Sequence, residues 1–144
     1  MRFRLPEWDG AMPEALVAYW TAWNARDLDQ IRRLLDRAVI PEVEWNDPRD
    51  SFVGIDELER AIRRLRTSKP NYDFSIASEV DCHHHRFRYR WDMSSNGRTL
   101  MEGLDIVTIT ESGLIERVDG FFGQPTPIKD LGSGVPASLR SGSR

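Results

Sequence analysis

Hydrophobic positions recur at helical spacing through the first half of the chain and alternate with polar ones in the second. Leu16, Tyr19, Trp20, Trp23 and Ala25 fall close to one helical face. Pro13 and Glu14 suit a first helical turn, where the missing proline N–H costs nothing and an acid meets the positive end of the dipole. Asp27 reads as the N-cap of a second helix carrying Leu28, Ile31, Leu34 and Leu35. From Val39 to Asp47, Val43 and Trp45 alternate with Glu42, Glu44 and Asn46, which predicts a strand that Pro48 ends. A loop through Arg49, Asp50 and Ser51 follows. Gly54 then introduces a third helix with Ile55, Leu58, Ile62 and Leu65 on one face, stopped by Lys69-Pro70-Asn71.

The period then changes. Tyr72, Phe74, Ile76 and Val80 predict one strand with an irregularity near Ala77. His85, Phe87, Tyr89 and Trp91 alternate with Arg86, Arg88, Arg90 and Asp92, the clearest period of two in the chain. Ser95-Asn96-Gly97 marks a hairpin. A strand from Arg98 to Thr110, a turn at Glu111-Ser112-Gly113 and a strand from Leu114 to Phe122 complete a meander of four antiparallel strands.

Two helices, a strand, a helix and a meander predict an α+β domain: one curved, mostly antiparallel sheet with the helices on its concave face. The boundaries expected are an N-terminal arm over 1–10, the domain over 11–124, and a disordered tail over 125–144, rich in Gly, Ser and Arg. The outer face of such a sheet needs cover, which a homodimer would provide.

Composition narrows the function more by exclusion than by assertion. The 144 residues carry a net charge of -3 and no long basic run, so general nucleic-acid binding has little support. The arginines at 86, 88 and 90 read as the outer face of a sheet. No apolar stretch approaches a membrane span, and the single Cys82 fits a reducing compartment, so a cytoplasmic protein is expected. The run His83-His84-His85 invites a metal reading. Neighbouring strand residues point to opposite faces, however, so only two of the three could converge and no third ligand offers itself. Neither a metal nor an organic cofactor is expected. Five tryptophans, six phenylalanines and three tyrosines suit a pocket lining as well as a core.

The chain resembles the NTF2-like superfamily over roughly Glu14 to Gly123. That superfamily includes ketosteroid isomerases, SnoaL-type polyketide cyclases, scytalone dehydratase and limonene epoxide hydrolase. The resemblance rests on Trp23-Asn24-Ala25-Arg26-Asp27-Leu28 at the helix pair, Val43-Glu44-Trp45-Asn46-Asp47-Pro48 with Gly54 after it, and Gly113-Leu114-Ile115 to Phe121-Phe122. It implies a cone-shaped α+β fold. It does not choose a reaction, because this fold hosts many activities and many binders without one.

For a site, the resemblance to ketosteroid isomerase implies three residues. Asp47, in its Asp-Pro pair at the end of the first strand, matches the general base. Tyr19, on the first helix, matches the oxyanion tyrosine, and Asp105, in the penultimate strand, matches the oxyanion aspartate. The implied chemistry moves a proton between carbons of a polycyclic or aromatic ketone. Asp47 would be the base, with Tyr19 and a protonated Asp105 holding the enolate oxygen, a logic carried over from the isomerase. The residues expected to line an apolar pocket are Trp23, Trp45, His85, Phe87, Tyr89, Trp91, Met101 and Phe122, around a hydrophobic small-molecule ligand.

Plainer readings stand beside these. Tyr19 can be a core residue, Asp47 a turn-former before proline, and Asp105 a structural acid with a hydrogen-bond partner. Arg49 and Asp50 would bring charge to the mouth, a departure from the isomerase pattern. His85 paired with a carboxylate leaves a dehydratase or hydrolase open, with Asp119 in reserve if a bulge turns it inward. A non-catalytic ligand-binding or dimerising module uses the same cavity without chemistry.

Overall fold

A computed structural model describes residues 10–129. The expected arm, up to residue 9, and the tail from residue 130 lie outside the described residues. Helix α1 spans Glu14–Trp23 and α2 spans Gln30–Asp36, followed by β1 (Val39–Asn46), β2 (Ser51–Val53) and α3 (Ile55–Ser68). Strands β3 (Tyr72–Ile76), β4 (Asp81–His83), β5 (Arg86–Ser95), β6 (Arg98–Ile109) and β7 (Ile115–Phe122) complete the chain. The strands form one open, curved sheet in the order β2-β1-β7-β6-β5-β3, with β4 also paired to β5. All pairs are antiparallel except β1 with β7. The α+β architecture expected from the pattern is the one observed.

Several local details differ from the sequence reading, each for a physical reason. Helix α2 begins at Gln30, because Asp27 spends its Oδ1 on the Asp29 N–H (2.9 Å) and its carbonyl on the Gln30 N–H (3.0 Å). Asp27 therefore closes a turn before the helix. The loop after Asp50 contains β2, which pairs with β1 through Trp45 opposite Phe52; those two rings stack at 5.1 Å. The strand expected from Tyr72 to Val80 stops at Ile76, and β4 is separate, so five strands follow α3 instead of four. His84 and His85 form the two-residue turn between β4 and β5, with φ of 48° and 64°. Two successive positive φ values are what a tight hairpin turn of the favoured hand requires.

Core packing follows the helical and period-two faces. Leu16, Ile31, Leu35, Leu58 and Ile62 from the helices meet Val43, Val107, Ile115 and Val118 from the sheet, all essentially inaccessible to solvent. Each such side chain stabilises the fold by roughly 1.5–3 kcal/mol relative to exposure. One buried cation ties the helices to the sheet. Arg66 donates from Nε to the Ala25 carbonyl, from one terminal nitrogen to Trp23 and Tyr72, and from the other to Pro70, at 2.6–3.2 Å. It satisfies carbonyls left over where α1 and α3 end. On the outer face, Arg86, Arg88 and Arg90 are exposed, as expected, and Arg88 pairs with Asp81.

Gly103 shapes the concave face. Its register partners are Trp91 and Phe122, and a Cβ built on it would lie 2.1 Å from the Trp91 ring and 2.7 Å from the Phe121 carbonyl oxygen. The indole of Trp91 therefore lies flat across the strand because position 103 has no side chain. A Gly103→Ala protein is expected to lose at least about 1–3 kcal/mol of stability, since the ring and a backbone carbonyl must both move. Urea unfolding would show this as a lower midpoint at unchanged slope. An unchanged midpoint would mean that the ring does not rest on this glycine.

Candidate active site

Strand register brings the site together. Tyr89 on β5 stands opposite Asp105 on β6, and Asp105 stands opposite Gly120 on β7. Asn46 on β1 pairs with Asp119, which sets Asp47 beside Gly120 as β1 ends. The concave-face row therefore reads Tyr89, Asp105, Gly120, Asp47, with adjacent strands about 4.8 Å apart. Gly120 leaves the space in which the two acids face each other. A Cβ built there would come 3.0 Å from Asp105 Oδ1 and 3.6 Å from the Asp47 Cβ. The neighbouring row carries Trp91, Gly103 and Phe122, again a large–small–large sequence.

These rows and the helices enclose a cavity of about 450 Å³. Tyr19, Asp47 and Asp105 all line it, together with Trp23, Trp45, Trp91, Met101 and Phe122. That volume and its aromatic walls suit a compact ring system. Sequence reasoning passed over much of the opposite wall: Trp20 from α1; Ala61, Arg64, Leu65 and Ser68 from α3; and Lys69, Tyr72, Phe74 and Met93. The i,i+4 row Ala61, Leu65 and Lys69 was a readable sign that α3 turns a second face toward the sheet. A wider groove of about 630 Å³ runs along the outside of α1, past Met12, Val17 and Thr21. Of its charged residues, Arg26 is already paired with Asp73 and Asp27 closes the turn before α2, and no acid–phenol group converges there.

Three expected lining residues are placed elsewhere. His85 sits in the exposed β4–β5 turn, so β5 begins one residue too late to carry it inward. Phe87 is buried in the core and is not among the residues lining this cavity. Tyr89 is buried behind Asp105, where its hydroxyl serves the acid rather than the cavity. The reserve acid Asp119 lies on the other side of the sheet, held by Asn46 Nδ2 at 3.2 Å and Arg117 Nε at 2.8 Å. Among the described residues no three His, Cys, Asp or Glu side chains gather where a metal would need them.

The hydrogen bonds set the character of each polar group. Asp105 accepts from Trp91 Nε1 on Oδ1 (2.9 Å) and from the Tyr89 hydroxyl on Oδ2 (3.1 Å). The Tyr89 oxygen in turn accepts from Trp20 Nε1 at 2.8 Å, which commits the phenol proton to Asp105. Burial pushes the Asp105 carboxyl up to about 7; the Trp91 and Tyr89 hydrogen bonds oppose the shift, and the charges of Asp47 and Asp119 add to it. The Tyr19 hydroxyl accepts from Trp45 Nε1 at 2.8 Å and keeps its own proton to give. Burial first, and then the Asp105 charge, raise its pKa, so it is a neutral phenol at any ordinary pH. Trp23 lines the same cavity; its buried Nε1 makes no well-aligned hydrogen bond but lies close enough to the Tyr19 oxygen to oppose, with Trp45, the rise in its pKa. Asp47 is half-buried. Its Oδ1 accepts the backbone N–H groups of Arg49 and Asp50, both at 2.8 Å, which fixes the carboxylate at the cavity edge. Among the described residues its Oδ2 has no such partner. The guanidinium of Arg49 stands 5.8 Å over the Phe122 ring and not against Asp47.

A family model described as a SnoaL-like domain matches residues 16–118. The chain belongs to the SnoaL-like family. No curated protein matches it. Among solved structures, a SnoaL-like protein of Agrobacterium tumefaciens, provisionally assigned as an isomerase, is 28% identical. The match covers 78% of this chain and all of that one, with a TM-score of 0.71. A Sinorhizobium meliloti protein provisionally assigned as a polyketide cyclase aligns at 17% identity and TM-score 0.61, over 76% of this chain and 94% of its own. An NTF2-like protein of unknown function from an Exiguobacterium species is 18% identical with a TM-score of 0.63, over 77% and 99% of the two chains. At those lower identities the likeness is one of fold.

The raised Asp105 pKa has a consequence for stability whose sign is fixed. The folded state holds the proton up to about pH 7, whereas the unfolded carboxyl releases it near its ordinary value of 3.8. The contribution is complete below the unfolded value and is lost as pH rises through the folded one. Asp105→Asn removes this dependence. The stability of the native protein relative to the Asn variant is therefore expected to fall between about pH 4 and pH 7, by up to roughly 4 kcal/mol, and to level off above. Denaturant melts of both proteins across that range check it; a constant difference would mean an acid ionised throughout.

Proposed function

We propose that this SnoaL-like protein is a cofactor-independent enzyme that moves a proton between carbons of a polycyclic or aromatic ketone, by isomerisation or cyclisation. The observation that carries this reading is the convergence of two acids and a neutral phenol in one aromatic cavity, one acid being protonated near neutrality and the other fixed by backbone donors. The ketone oxygen would sit against the Tyr19 hydroxyl and a protonated Asp105, whose oxygens each retain a lone-pair direction beyond the bonds from Trp91 and Tyr89. Asp47 Oδ2 would take the proton from the carbon next to the carbonyl. The C–H electron pair would move into the C–C bond and the carbonyl π pair onto oxygen, giving an enolate held by the two donors. Asp47 would return the proton to another carbon, leaving the enzyme unchanged.

Donors already aimed at the developing charge need no reorganisation during reaction, and each is worth a few kcal/mol of transition-state stabilisation. Water-activating chemistry that pairs a histidine with a carboxylate loses its support, because His85 is on the outside. A ligand-binding module without catalysis remains the rival reading, and turnover decides between them.

With a cyclic enone or β-diketone substrate, Asp47→Asn is expected to lower kcat by about 10²–10⁴-fold. Tyr19→Phe is expected to lower it by about 10²-fold with little change in KM. The native rate should fall above about pH 7 as Asp105 loses its proton. Steady-state assays over a substrate panel measure all three. Binding of every panel member without turnover by the native protein would establish the rival, and an Asp47→Asn enzyme as fast as the native one would remove Asp47 as the base.

A further inference from the structure

The rim of the cavity carries charge that the proton-transfer reading does not use. Arg49 enters from the β1–β2 turn, and Arg64 and Lys69 from the end of α3. None of the three has a carboxylate within ion-pair distance among the described residues. The arginines on the other faces of the same helix are paired, Arg60 with Glu57 and Arg63 with Glu59, and Arg32 reaches across from α2 to Asp56 and Glu59. Asp50 is the acid at the rim, and its side chain makes no ion pair with these cations. The buried Arg66 does not line the cavity; its guanidinium is held by carbonyl oxygens, Trp23 and Tyr72 among them. Of the two acids of the site, Asp105 lies deeper, beside Gly120 and Tyr89, whereas Asp47 shares its turn with Arg49 at the cavity edge. Lys69 already lies over the Tyr72 ring at 6.0 Å and Arg49 over Phe122, so both cations are held at the edge of the aromatic walls.

We infer that the ligand of this cavity is an aromatic or polycyclic ketone bearing an anionic group, a carboxylate or an equivalent oxyanion, which lies at the mouth against Arg49, Arg64 and Lys69. This rests on the proposed reading of the cavity floor and adds the substrate class. A ring system in the aromatic hollow would then have its two ends distinguished: the reacting oxygen in toward Tyr19, the anion out toward α3. A charged tail at the rim also aids capture, because unpaired cations around a low-dielectric cleft steer an anion toward it. The orientation so imposed decides which carbon meets Asp47.

The test uses the full chain and two probes of the same size, 6-hydroxy-2-naphthoate and its neutral amide, with Kd read from quenching of tryptophan fluorescence. Trp20, Trp23, Trp45 and Trp91 line the cavity and report occupancy. The carboxylate is expected to bind at least about tenfold tighter than the amide at low salt, with the advantage shrinking as salt rises. Arg64→Gln and Lys69→Gln, both at exposed positions, should erase most of that advantage, read in each variant as the ratio of the amide Kd to the carboxylate Kd. Amide binding equal to or tighter than carboxylate binding would overturn the inference and leave the floor intact. Failure of both probes to bind, with the protein folded, would overturn the reading of the floor and this inference with it.

Discussion

A carboxyl group buried in a protein must find donors or keep its proton, and Asp105 does some of both. Trp91 and Tyr89 each give it one hydrogen bond, yet among the described residues no cation stands beside it, burial is the dominant influence, and its pKa rises to about 7. Much of the concave face is arranged around that compromise. Gly103 lets the Trp91 indole lie flat and reach Oδ1, Trp20 turns the Tyr89 proton toward Oδ2, and Gly120 leaves open the side that faces Asp47. An arginine or lysine in the row would have settled the acid as a plain carboxylate. Without one, it stays poised between donor and acceptor in the range where enzymes work.

The second acid is built in another way. Asp47 ends a strand, precedes a proline and closes its turn with two backbone donors. Its structural task and its chemical one use different oxygens, so the turn-former reading and the general-base reading are compatible. The phenol of Tyr19 follows the same division of labour: Trp45 occupies the oxygen from behind, leaving the proton to give. Three indole N–H groups thus fix the polarity of the site, while their rings make its walls.

Legibility of this arrangement in the sequence varied with its range. Period-two alternation in β5 named Tyr89 and Trp91 as inward-facing, the resemblance to ketosteroid isomerase named Asp105, and the motifs around Asp47 and Trp23 pointed to the family that the SnoaL-like match then showed. Parity works within a strand. It cannot say that Tyr89 stands opposite Asp105, because that depends on the register across a hairpin. His85 misled for a related reason: alternation continued through it by chance, although a two-residue turn with positive φ begins there. Of the cationic rim, Arg49 was legible in the turn after Asp47, but Arg64 and Lys69 were not, since they reach the same cavity from the end of α3. Nothing in the sequence separates Arg66 from its exposed neighbours Arg60 and Arg64; its burial follows from carbonyl partners far along the chain.

The account depends on Asp105 holding a proton where an ordinary aspartate has long lost it. Carboxyl carbon NMR on protein labelled at aspartate, followed from pH 4 to pH 9, observes that proton directly. One aspartate resonance should titrate near pH 7 and vanish in Asp105→Asn; a spectrum in which every aspartate has finished titrating by pH 5 would contradict the account at its base.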